Sequence, residues 1–420
     1  MMNTLKLPSK KRNFDTEVDL PTSKSISNRL LIIRALSAEY FGINELSQSN
    51  DTKLMTRLLD QILSIDSSNT INKVDAQDAG TVYRFLTSLL SSVPGKHLLS
   101  GNSRMLNRPI GVLVDALRSL GASIIYTNKE GFPPILIEGQ ELHSAELEIQ
   151  SNISSQFISA LLLIAPRLPQ GLLLKLNQQT ASQPYIEMTI ELMRNFGIDV
   201  FYDKDTINVS HGYYRSHNIV VECDWSSAAF WYEAVAFSKN GKLLLKGLHK
   251  SKLQGDAILP QIFHHLGVET IESENGIIIQ KKDSLETSFN WDFSQHPDLA
   301  LPVICTCAGL GIIGKFTGLE SLKIKESNRV KALESELSKL GFDFRETASN
   351  EWVLINSCKL DEAEYNFSTI KVQTYNDHRI AMSFAPFAIL GKGIQIENPE
   401  VVSKSYPSFW FEFEKISSHS

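Results

Sequence analysis

Cysteine is rare in this chain: Cys223, Cys305, Cys307 and Cys358 are scattered along 420 residues. So few thiols at irregular spacing exclude a disulfide framework, and they favour a reducing compartment, the cytoplasm. Cys305 and Cys307 lie in an apolar segment, where buried thiols usually pack as small hydrophobic groups. The sequence therefore gives the cysteines no structural or catalytic role.

Long hydrophobic runs are also missing. The longest, residues 299–313, is shorter than the roughly 20 residues of a membrane-spanning helix, and it contains Pro302, Gly309 and Gly311. This run predicts a helix buried in a protein core. The N-terminal segment 1–14 is polar and basic and lacks the apolar centre of a secretory signal. We expect no membrane association.

The chain also lacks an excess of positive charge. The 41 Lys and Arg residues are outnumbered by 47 Asp and Glu residues, which gives a net charge of −6. This balance disfavours nucleic acid as a partner and provides no cationic field for a membrane surface. With 42% apolar and 21% charged residues, the chain has the composition of a globular protein long enough for two domains.

A polar cluster that opens an apolar helix recurs six times. The clusters are Ser25, Asp78–Thr81, Ser154–Gln156, Ser226–Ser227, Asp298 and Asp377–Arg379. After a shorter first interval, they are separated by about 72 to 79 residues, a spacing typical of long structural repeats.

A second marker runs out of phase with the first. It is an amphipathic helix that ends in glycine before a strand-like segment, at Gly121, Gly197, Gly267 and Gly341. Together the markers predict six helix-and-strand units in two halves of three. We place one domain at 21–222 and the other at 1–20 with 223–420, joined by strand-like crossings near Cys223.

Cations accompany these helix starts in an otherwise acidic chain. They are Lys24, Arg29, Arg84, Arg108, Lys325, Arg329, Arg379 and Lys404. Each alone could form a surface ion pair, worth about 0 to 1 kcal/mol. If equivalent helix ends face one cleft, the cations and the helix dipoles converge there, and the cleft would bind small, multiply anionic ligands.

Seven motifs in order over nearly the whole chain carry a resemblance. They are Pro21–Arg29, Asp78–Arg84, Arg108–Gly111, Ser154–Phe157, Ser182–Tyr185, Lys325–Arg329 and Tyr375–Arg379. This set resembles the 5-enolpyruvylshikimate-3-phosphate synthase family of enolpyruvyl transferases. The resemblance implies a two-domain inside-out α/β barrel, in which each domain has three βαβαββ units with helices packed inside. It also implies that the domains close over substrates.

The same resemblance implies an enzyme activity, 3-phosphoshikimate 1-carboxyvinyl transfer in chorismate and aromatic amino acid biosynthesis. The enolpyruvyl group of phosphoenolpyruvate passes to the 5-hydroxyl of shikimate 3-phosphate, and phosphate leaves. No metal or organic cofactor takes part. The expected partners are these two small molecules, and the expected state is a monomer.

The resemblance also implies roles for individual residues. Ser25 and Arg29 would hold the shikimate carboxylate, and Ser154, Ser155 and Ser182 its phosphate, with Gln156 and Tyr185 beside the ring. Phosphoenolpyruvate would bind Lys24, Arg108, Arg329, Arg379 and Lys404, next to Gly80. Arg84 and Ser321 join the substrate-binding set, and Asp377 and His378 the catalytic one.

The reaction itself asks for an acid and a base. Attack of an alcohol on C2 of phosphoenolpyruvate requires protonation at C3, so a general acid and a general base must reach the substrates. Asp298, helped by Lys325, would deprotonate the 5-hydroxyl, and Glu326 with Lys24 would carry the proton to and from the methylene carbon. A carboxylate among cations has a lowered pKa, so Glu326 needs desolvation or a relay through Lys24 to act as an acid.

The chain departs from the family pattern at four positions. Asp78 and Ser321 stand where the family commonly has Asn, Phe85 where Pro is usual, and Thr22 where Gly is frequent. Asp78 adds a negative charge near the expected phosphoenolpyruvate pocket. We expect weaker binding of this substrate; the response to the inhibitor glyphosate, which mimics it, does not follow from the sequence.

Structural roles are open for several of these residues. Ser154, Ser155 and Asp298 could simply cap helices, and Glu326 with Arg329 could be a solvated helix pair. Three other functions also fit the pattern in part: a UDP-N-acetylglucosamine enolpyruvyl transferase, a non-catalytic binding protein on this scaffold, and an RNA-end-processing cyclase. The first usually carries a loop Cys near the position of Arg108, and none of the four cysteines fits.

Overall fold

The computed structural model describes residues 3–7, 13–64, 70–143, 146–150, 154–177, 181–356, 369–391 and 393–418. Cys358 lies outside them. The chain divides into two compact units. The inserted unit is Ser23–Val221, and the terminal unit joins Met1–Thr22 to Glu222–Ser420.

The first strands of the chain, β1 (Thr4–Leu7) and β2 (Asn13–Asp19), belong to the terminal unit. The elements of the inserted unit follow. They are α1 (Lys24–Leu36), β3 (Ile43–Asn44), α2 (Asn50–Leu63), β4 (Asn72–Asp75), α3 (Gly80–Ser92), β5 (Gly95–Ser100), α4 (Gly111–Ser119), β6 (Ser123–Tyr126), β7 (Ile135–Gly139), β8 (Glu146–Gln150), α5 (Ser155–Ile164), β9 (Leu172–Asn177), α6 (Gln183–Asn195), β10 (Val200–Asp203), β11 (Thr206–Val209) and β12 (Ile219–Val220).

The rest of the terminal unit follows in the same alternating order. Its elements are α7 (Trp225–Phe237), β13 (Asn240–Lys246), α8 (Leu259–His265), β14 (Val268–Ser273), β15 (Gly276–Lys281), β16 (Ser288–Asp292), α9 (Ala300–Leu310), β17 (Ile313–Thr317), α10 (Arg329–Lys339), β18 (Phe342–Ala348), β19 (Glu351–Asn356), β20 (Ile370–Val372), α11 (His378–Phe384), β21 (Ile394–Glu397) and α12 (Phe409–Ser418).

Four sheets share one topology, a parallel pair extended by an antiparallel hairpin. Their strand orders are β4-β5-β7-β6 and β8-β9-β11-β10 in the inserted unit, and β2-β13-β15-β14 and β16-β17-β19-β18 in the terminal unit. A helix precedes the second parallel strand and another precedes the hairpin, so the predicted βαβαββ unit is confirmed; between β2 and β13 the chain also contains the inserted unit. In the described parts of the chain, the remaining sheets are smaller: β3 with β12, and β1-β21-β20.

The helices inside the units are apolar on every side. All residues of α7 are buried, and so are nearly all of α9 and α5. A helix that is hydrophobic all round must be covered on all sides, and the α7 and α9 side chains share one core with the inward faces of the surrounding strands. The core helix predicted from the apolar run 299–313 is confirmed as α9.

Glycine ends the four predicted amphipathic helices. The φ angles of Gly121, Gly197, Gly267 and Gly341 lie between 79° and 95°, the left-handed region that a side chain disfavours. The segments that border the inserted unit are paired with each other: Thr22 forms a β-bridge with Cys223, and the Asp224 amide donates to the Pro21 carbonyl at 2.8 Å.

Candidate functional site

In the inserted unit, the start of α1 presents Lys24 beside a buried carboxylate. The Ser23 hydroxyl caps the helix by accepting from the Ile26 amide, and the first turn contains no acidic residue. Lys24 Nζ lies 3.1 Å from Oδ2 of Asp51, which stands in the first turn of α2. The ammonium group is therefore fixed in place, and its charge is balanced by one partner that the sequence did not indicate.

Arg29 is buried among neutral oxygen atoms. Its Nε donates to Thr189 Oγ1 at 2.7 Å, and its terminal nitrogens donate to Ser159 Oγ and to the carbonyls of Ser25 and Tyr185. Within the described parts of the chain it forms no ion pair. Burial lowers the pKa of Arg29 to about 10, so this cation is still charged at neutral pH and lacks a counterion. An anion is the ligand it favours.

Arg84 and Arg108 lie against Gly80 at the start of α3. A Cβ on Gly80 would be 2.5 Å from NH1 of each arginine, so only glycine leaves both guanidinium groups room. Arg84 donates to the Gln156 side-chain oxygen at 2.7 Å, and Gln156 donates in turn to Thr81 Oγ1 at 3.2 Å. The first turn of α3 has no acidic residue. Two cations at a helix N-terminus form an anion-binding arrangement.

Three predicted serines lie at the N-termini of α5 and α6, two helices that contact each other. Ser154 caps α5 by accepting from the Gln156 amide at 3.3 Å, so the capping role considered for it is observed. Ser155 and Ser182 are nine-tenths buried, and Ser182 immediately precedes α6 with φ of 57°. The Tyr185 ring centroid lies 6.0 Å from Cζ of Arg29.

In the terminal unit, Arg329 contacts carboxylates from three segments of the chain. Its guanidinium donates to Asp377 at 2.8 Å, to Glu326 at 2.9 Å and to Asp298 at 3.3 Å. Burial by itself would lower the pKa of Arg329, but these carboxylates outweigh it and raise the pKa. Since Arg329 is only 1% exposed, its pair with Glu326 is not the solvated pair considered from the sequence.

Asp377 and Arg379 connect the start of α11 to the same cluster. Asp377 caps the helix by accepting from the Arg379 amide at 3.1 Å, and it also accepts from Ser327 Oγ at 3.0 Å. The Arg379 guanidinium lies 3.0 Å from Asp298 Oδ2. Asp298 therefore contacts two arginines, and no side-chain cap forms at the start of α9, which argues against its structural alternative.

The remaining predicted residues occupy nearby segments of the terminal unit. His378 is buried, and its Nδ1 lies 3.8 Å from Asp377 Oδ1. Ser321 belongs to the 3-10 turn Glu320–Ile324, and Lys325 follows that turn. Lys404 closes the 3-10 turn Pro399–Lys404, which contacts α11, and its side chain is buried.

In each unit, direct contacts link part of the predicted set: Arg84 with Gln156 in the inserted unit, and Arg329 with Asp298, Glu326 and Asp377 in the terminal unit. The sequence missed Asp51, Ser159, Thr189 and Glu336, which fix the predicted cations and the segments around them. Thr189 follows Tyr185 by one helical turn, a spacing that places both on the same face of α6 and could have indicated it. Nothing local to Asp51 indicates Lys24.

Two further observations concern membrane crossing and metal binding. No helix in the described ranges combines the length and the apolar character that crossing a membrane requires. Over the same part of the chain, no group of three or more His, Cys, Asp or Glu side chains has an arrangement that could hold a metal ion. Cys305 and Cys307 are buried, as the sequence predicts, and Cys223 is half-buried.

Comparison with known proteins gives a consistent result. A family model described as EPSP synthase (3-phosphoshikimate 1-carboxyvinyltransferase) matches residues 8–413. A Bacteroides fragilis (strain YCH46) protein named 3-phosphoshikimate 1-carboxyvinyltransferase is 43% identical over 399 residues, covering 95% of this chain and 94% of that protein. A protein of the same name from Shewanella sp. (strain W3-18-1) is 32% identical, covering 95% and 96%.

Solved structures agree on the fold. An EPSP synthase structure from Acinetobacter baumannii superimposes with a TM-score of 0.77 at 21% identity, and the match covers 99% of this chain and 98% of that one. At this identity the likeness concerns the fold alone. The two-domain inside-out α/β fold expected from the sequence is confirmed.

Proposed function

Because this chain belongs to the EPSP synthase family, we propose from that premise which of its side chains hold the two substrates and move the proton. The chain is an enzyme, a 3-phosphoshikimate 1-carboxyvinyltransferase of the shikimate pathway. It transfers the enolpyruvyl group of phosphoenolpyruvate to the 5-hydroxyl of shikimate 3-phosphate. The roles of individual residues are the proposal.

Shikimate 3-phosphate is the ligand of the inserted unit. Arg29 and Ser25 hold its carboxylate, since Arg29 is a buried cation whose bonds all go to neutral oxygens. Ser154, Ser155 and Ser182 hold its phosphate, because the N-termini of α5 and α6 add backbone donors and dipoles to these hydroxyls. Gln156 and Tyr185 contact the ring.

Phosphoenolpyruvate is the ligand of the other predicted cations, most of which are buried or half-buried. In the inserted unit we assign it Lys24, Arg84 and Arg108, with Gly80 allowing close approach. In the terminal unit we assign it Arg329, Arg379 and Lys404, with Ser321 among the polar groups. Guanidinium groups suit this role, because they bind carboxylate and phosphate through two parallel hydrogen bonds.

The proton transfers fall to groups bound to Arg329. Asp298, supported by Lys325, takes the proton of the 5-hydroxyl as its oxygen attacks C2, while Glu326 with Lys24 delivers a proton to C3. In the second step C3 loses a proton and the bond from C2 to the phosphate oxygen breaks, which releases phosphate. Asp298, which contacts Arg329 and Arg379, is held in place for this role. Asp377 and His378 hold Arg329 and the start of α11.

Competition at Arg329 is the route that we propose for Glu326 to act as an acid. The Glu326 carboxylate accepts from Arg329 at 2.9 Å, and a neighbouring cation in general favours the ionised form of a carboxylate, which cannot donate a proton. A substrate carboxylate that binds Arg329 displaces one of the protein carboxylates. A Glu326 side chain that has been displaced from Arg329 would then deliver the proton, directly or through Lys24.

The contrast between two buried arginines carries this assignment. Arg29 has neutral partners throughout, whereas Arg329 has three carboxylates. Arg29 therefore keeps an uncompensated positive charge that an anionic ligand can bind, and Arg329 holds the proposed acid and base close together.

Phosphate release from a mixture of shikimate 3-phosphate and phosphoenolpyruvate tests the proposal. The wild type should release phosphate only when both substrates are present, and not with UDP-N-acetylglucosamine in place of shikimate 3-phosphate. Lys24→Ala and Asp298→Ala should each lose about 100-fold or more in kcat/KM. Lys96→Ala, which removes an exposed lysine paired with Glu138, is the matched control. Variants that retain the wild-type rate would refute the catalytic roles. A monomeric state and a cytoplasmic location stay predictions.

A further inference from the structure

Two consecutive residues before α11 have left-handed backbone conformations. Tyr375 has φ of 54° and Asn376 has φ of 53°, and neither is glycine. Residues with a Cβ avoid this region, so a pair in sequence persists only where the surrounding structure holds it. The next residues are Asp377, which binds Arg329, and Arg379, which binds Asp298. The strained turn therefore sets the position of the cluster.

A buried carboxylate from α10 holds this turn. Oε1 of Glu336 accepts from the Tyr375 hydroxyl at 2.7 Å, and Oε2 accepts from the Gln373 amide at 3.2 Å. Lys339 Nζ lies 2.6 Å from the same Oε2 and also donates to the Lys371 carbonyl at 3.2 Å. Burial and the Glu336 charge raise the pKa of Tyr375, so its hydroxyl keeps the donated proton at neutral pH.

Helix α10 thus grips the segment 371–377 at two points. Arg329 and Glu336 are two helical turns apart, and that spacing places them on one face of the helix. Arg329 holds Asp377 at the end of the turn, while Glu336 holds its beginning. Releasing one grip would let the left-handed pair relax and move Asp377 and Arg379 together.

From this arrangement we propose that Glu336 and Tyr375 are positioning residues for the reaction, which fix Arg329 and Arg379 in the orientation that binds phosphoenolpyruvate. The inference rests on the proposed function. Neither residue touches the substrate: their effect passes through the turn at 375–376. The hydrogen bond from Tyr375 to Glu336 restricts the motion of the turn before substrate binds. Its loss therefore raises the KM for phosphoenolpyruvate more than it lowers kcat.

Tyr375→Phe is the sharpest test, because it deletes only the oxygen that contacts Glu336. A hydrogen bond to a charged group accounts for about tenfold, so KM for phosphoenolpyruvate should rise by about that factor, with KM for shikimate 3-phosphate within twofold of wild type. Glu336→Gln, which keeps the volume and one acceptor, should raise the same KM less than Glu336→Ala. Tyr232→Phe is the control, since Tyr232 contacts Thr270 Oγ1 at 3.0 Å in the same unit.

Hydrogen exchange of the segment 373–384 gives a readout that needs no turnover. Tyr375→Phe should speed exchange there, at the Arg379 amide above all, whereas Tyr232→Phe should not. The positioning role is wrong if Tyr375→Phe and Tyr232→Phe show the same exchange rates and the same KM for phosphoenolpyruvate. It is also wrong if Tyr375→Phe raises the KM values of phosphoenolpyruvate and shikimate 3-phosphate equally. In either case Glu336 is a structural residue only. A wild type without turnover would instead overturn the proposed function, and the exchange result would still decide the positioning role.

Discussion

The Arg329 guanidinium and the Asp377 carboxylate form a buried two-point ion pair: Nε lies 2.8 Å from Oδ2, and NH2 lies 3.2 Å from Oδ1. Burial by itself would raise the pKa of Asp377, but the charge of Arg329 outweighs it and lowers the pKa. The pair fixes α10 to the start of α11, so it has a structural effect besides its proposed role in the reaction.

Asp377→Asn should weaken the fold in a pH-dependent way. Removing one charge of a buried pair costs roughly 3 kcal/mol, so the free energy of unfolding at pH 7 should fall by about this amount. The folded-state pKa lies below the ordinary 3.8, so the ionised carboxylate stabilises the fold above pH 3.8 and loses this effect as the pH falls through the folded pKa. Urea denaturation at several pH values measures the difference. An equal loss in Asp343→Asn, which removes an exposed partner of Arg345, would contradict it.

Thr189→Val should weaken the binding of shikimate 3-phosphate. In the wild type, Arg29 Nε donates to Thr189 Oγ1 at 2.7 Å. The substitution keeps the shape of the side chain but removes this acceptor. The guanidinium then loses its fixed orientation, and KM for shikimate 3-phosphate should rise about tenfold, with KM for phosphoenolpyruvate changed by less than a factor of two. Steady-state kinetics give both values. Thr306→Val removes a comparable buried hydroxyl, bonded to the Pro302 carbonyl, and should leave both values unchanged.

Gly80→Ala should act on phosphoenolpyruvate and spare the fold. The added Cβ meets NH1 of Arg84 and of Arg108 at 2.5 Å, and both are ends of flexible side chains that can move aside. Moving them separates the two cations, so KM for phosphoenolpyruvate should rise about tenfold, as for one lost charged hydrogen bond, while the melting temperature stays close to that of the wild type. Gly111→Ala, also at a helix start but with no neighbour closer than 3.5 Å, is the control. A fall in melting temperature with an unchanged KM would count against the assignment.

Asp78→Asn should strengthen phosphoenolpyruvate binding. Asp78 is half-buried and precedes the first turn of α3, so its charge opposes an anion bound beside Arg84 and Arg108. Removing that charge should lower the apparent KM by a few-fold, on the order of 1 kcal/mol for a partly solvated interaction, and the effect should shrink at high salt. Asp115→Asn changes an exposed carboxylate on α4 and serves as the comparison. An unchanged KM in Asp78→Asn would refute the expectation.

The sequence predicts those parts of the fold that depend on local pattern. The apolar run 299–313 could only be a covered helix, and the glycines after the amphipathic helices could only end them. Asp298 and Asp377 were predictable as residues at helix starts, whereas Glu326 entered the predicted set through the family resemblance. Local pattern is enough where one helix turn or one strand determines the outcome.

Contacts between distant segments could not be predicted in this way. Asp51 reaches Lys24, and Glu336 reaches Tyr375, through tertiary packing that no spacing encodes. The two-stranded sheet of β3 and β12 was likewise not evident from the sequence. Glu233 is the clearest omission, because nothing in the apolar stretch Trp225–Phe237 indicates what surrounds its single carboxyl group.

Glu233 is fully buried in α7, and neither side-chain oxygen has a hydrogen-bond partner in the described parts of the chain. Burial raises the pKa of Glu233 well above its ordinary 4.5, and the carboxyl must stay neutral to remain in the core. Between pH 4.5 and the folded pKa, the unfolded chain releases a proton that the folded chain keeps. The free energy of unfolding therefore falls as the pH rises, by about 1.4 kcal/mol for each pH unit.

Glu233→Gln removes the titratable carboxyl group and should make the free energy of unfolding less dependent on pH. The variant should gain stability relative to the wild type by an amount that grows from pH 5 to pH 8, on the order of 2 kcal/mol or more, even if the buried amide itself lowers stability at every pH. Urea denaturation across this range measures the difference, with Glu269→Gln on β14 as an exposed control. If the two proteins differ by a constant amount from pH 5 to pH 8, the carboxyl titrates alike in the folded and unfolded chain, and Glu233 is not the buried neutral acid that its surroundings require.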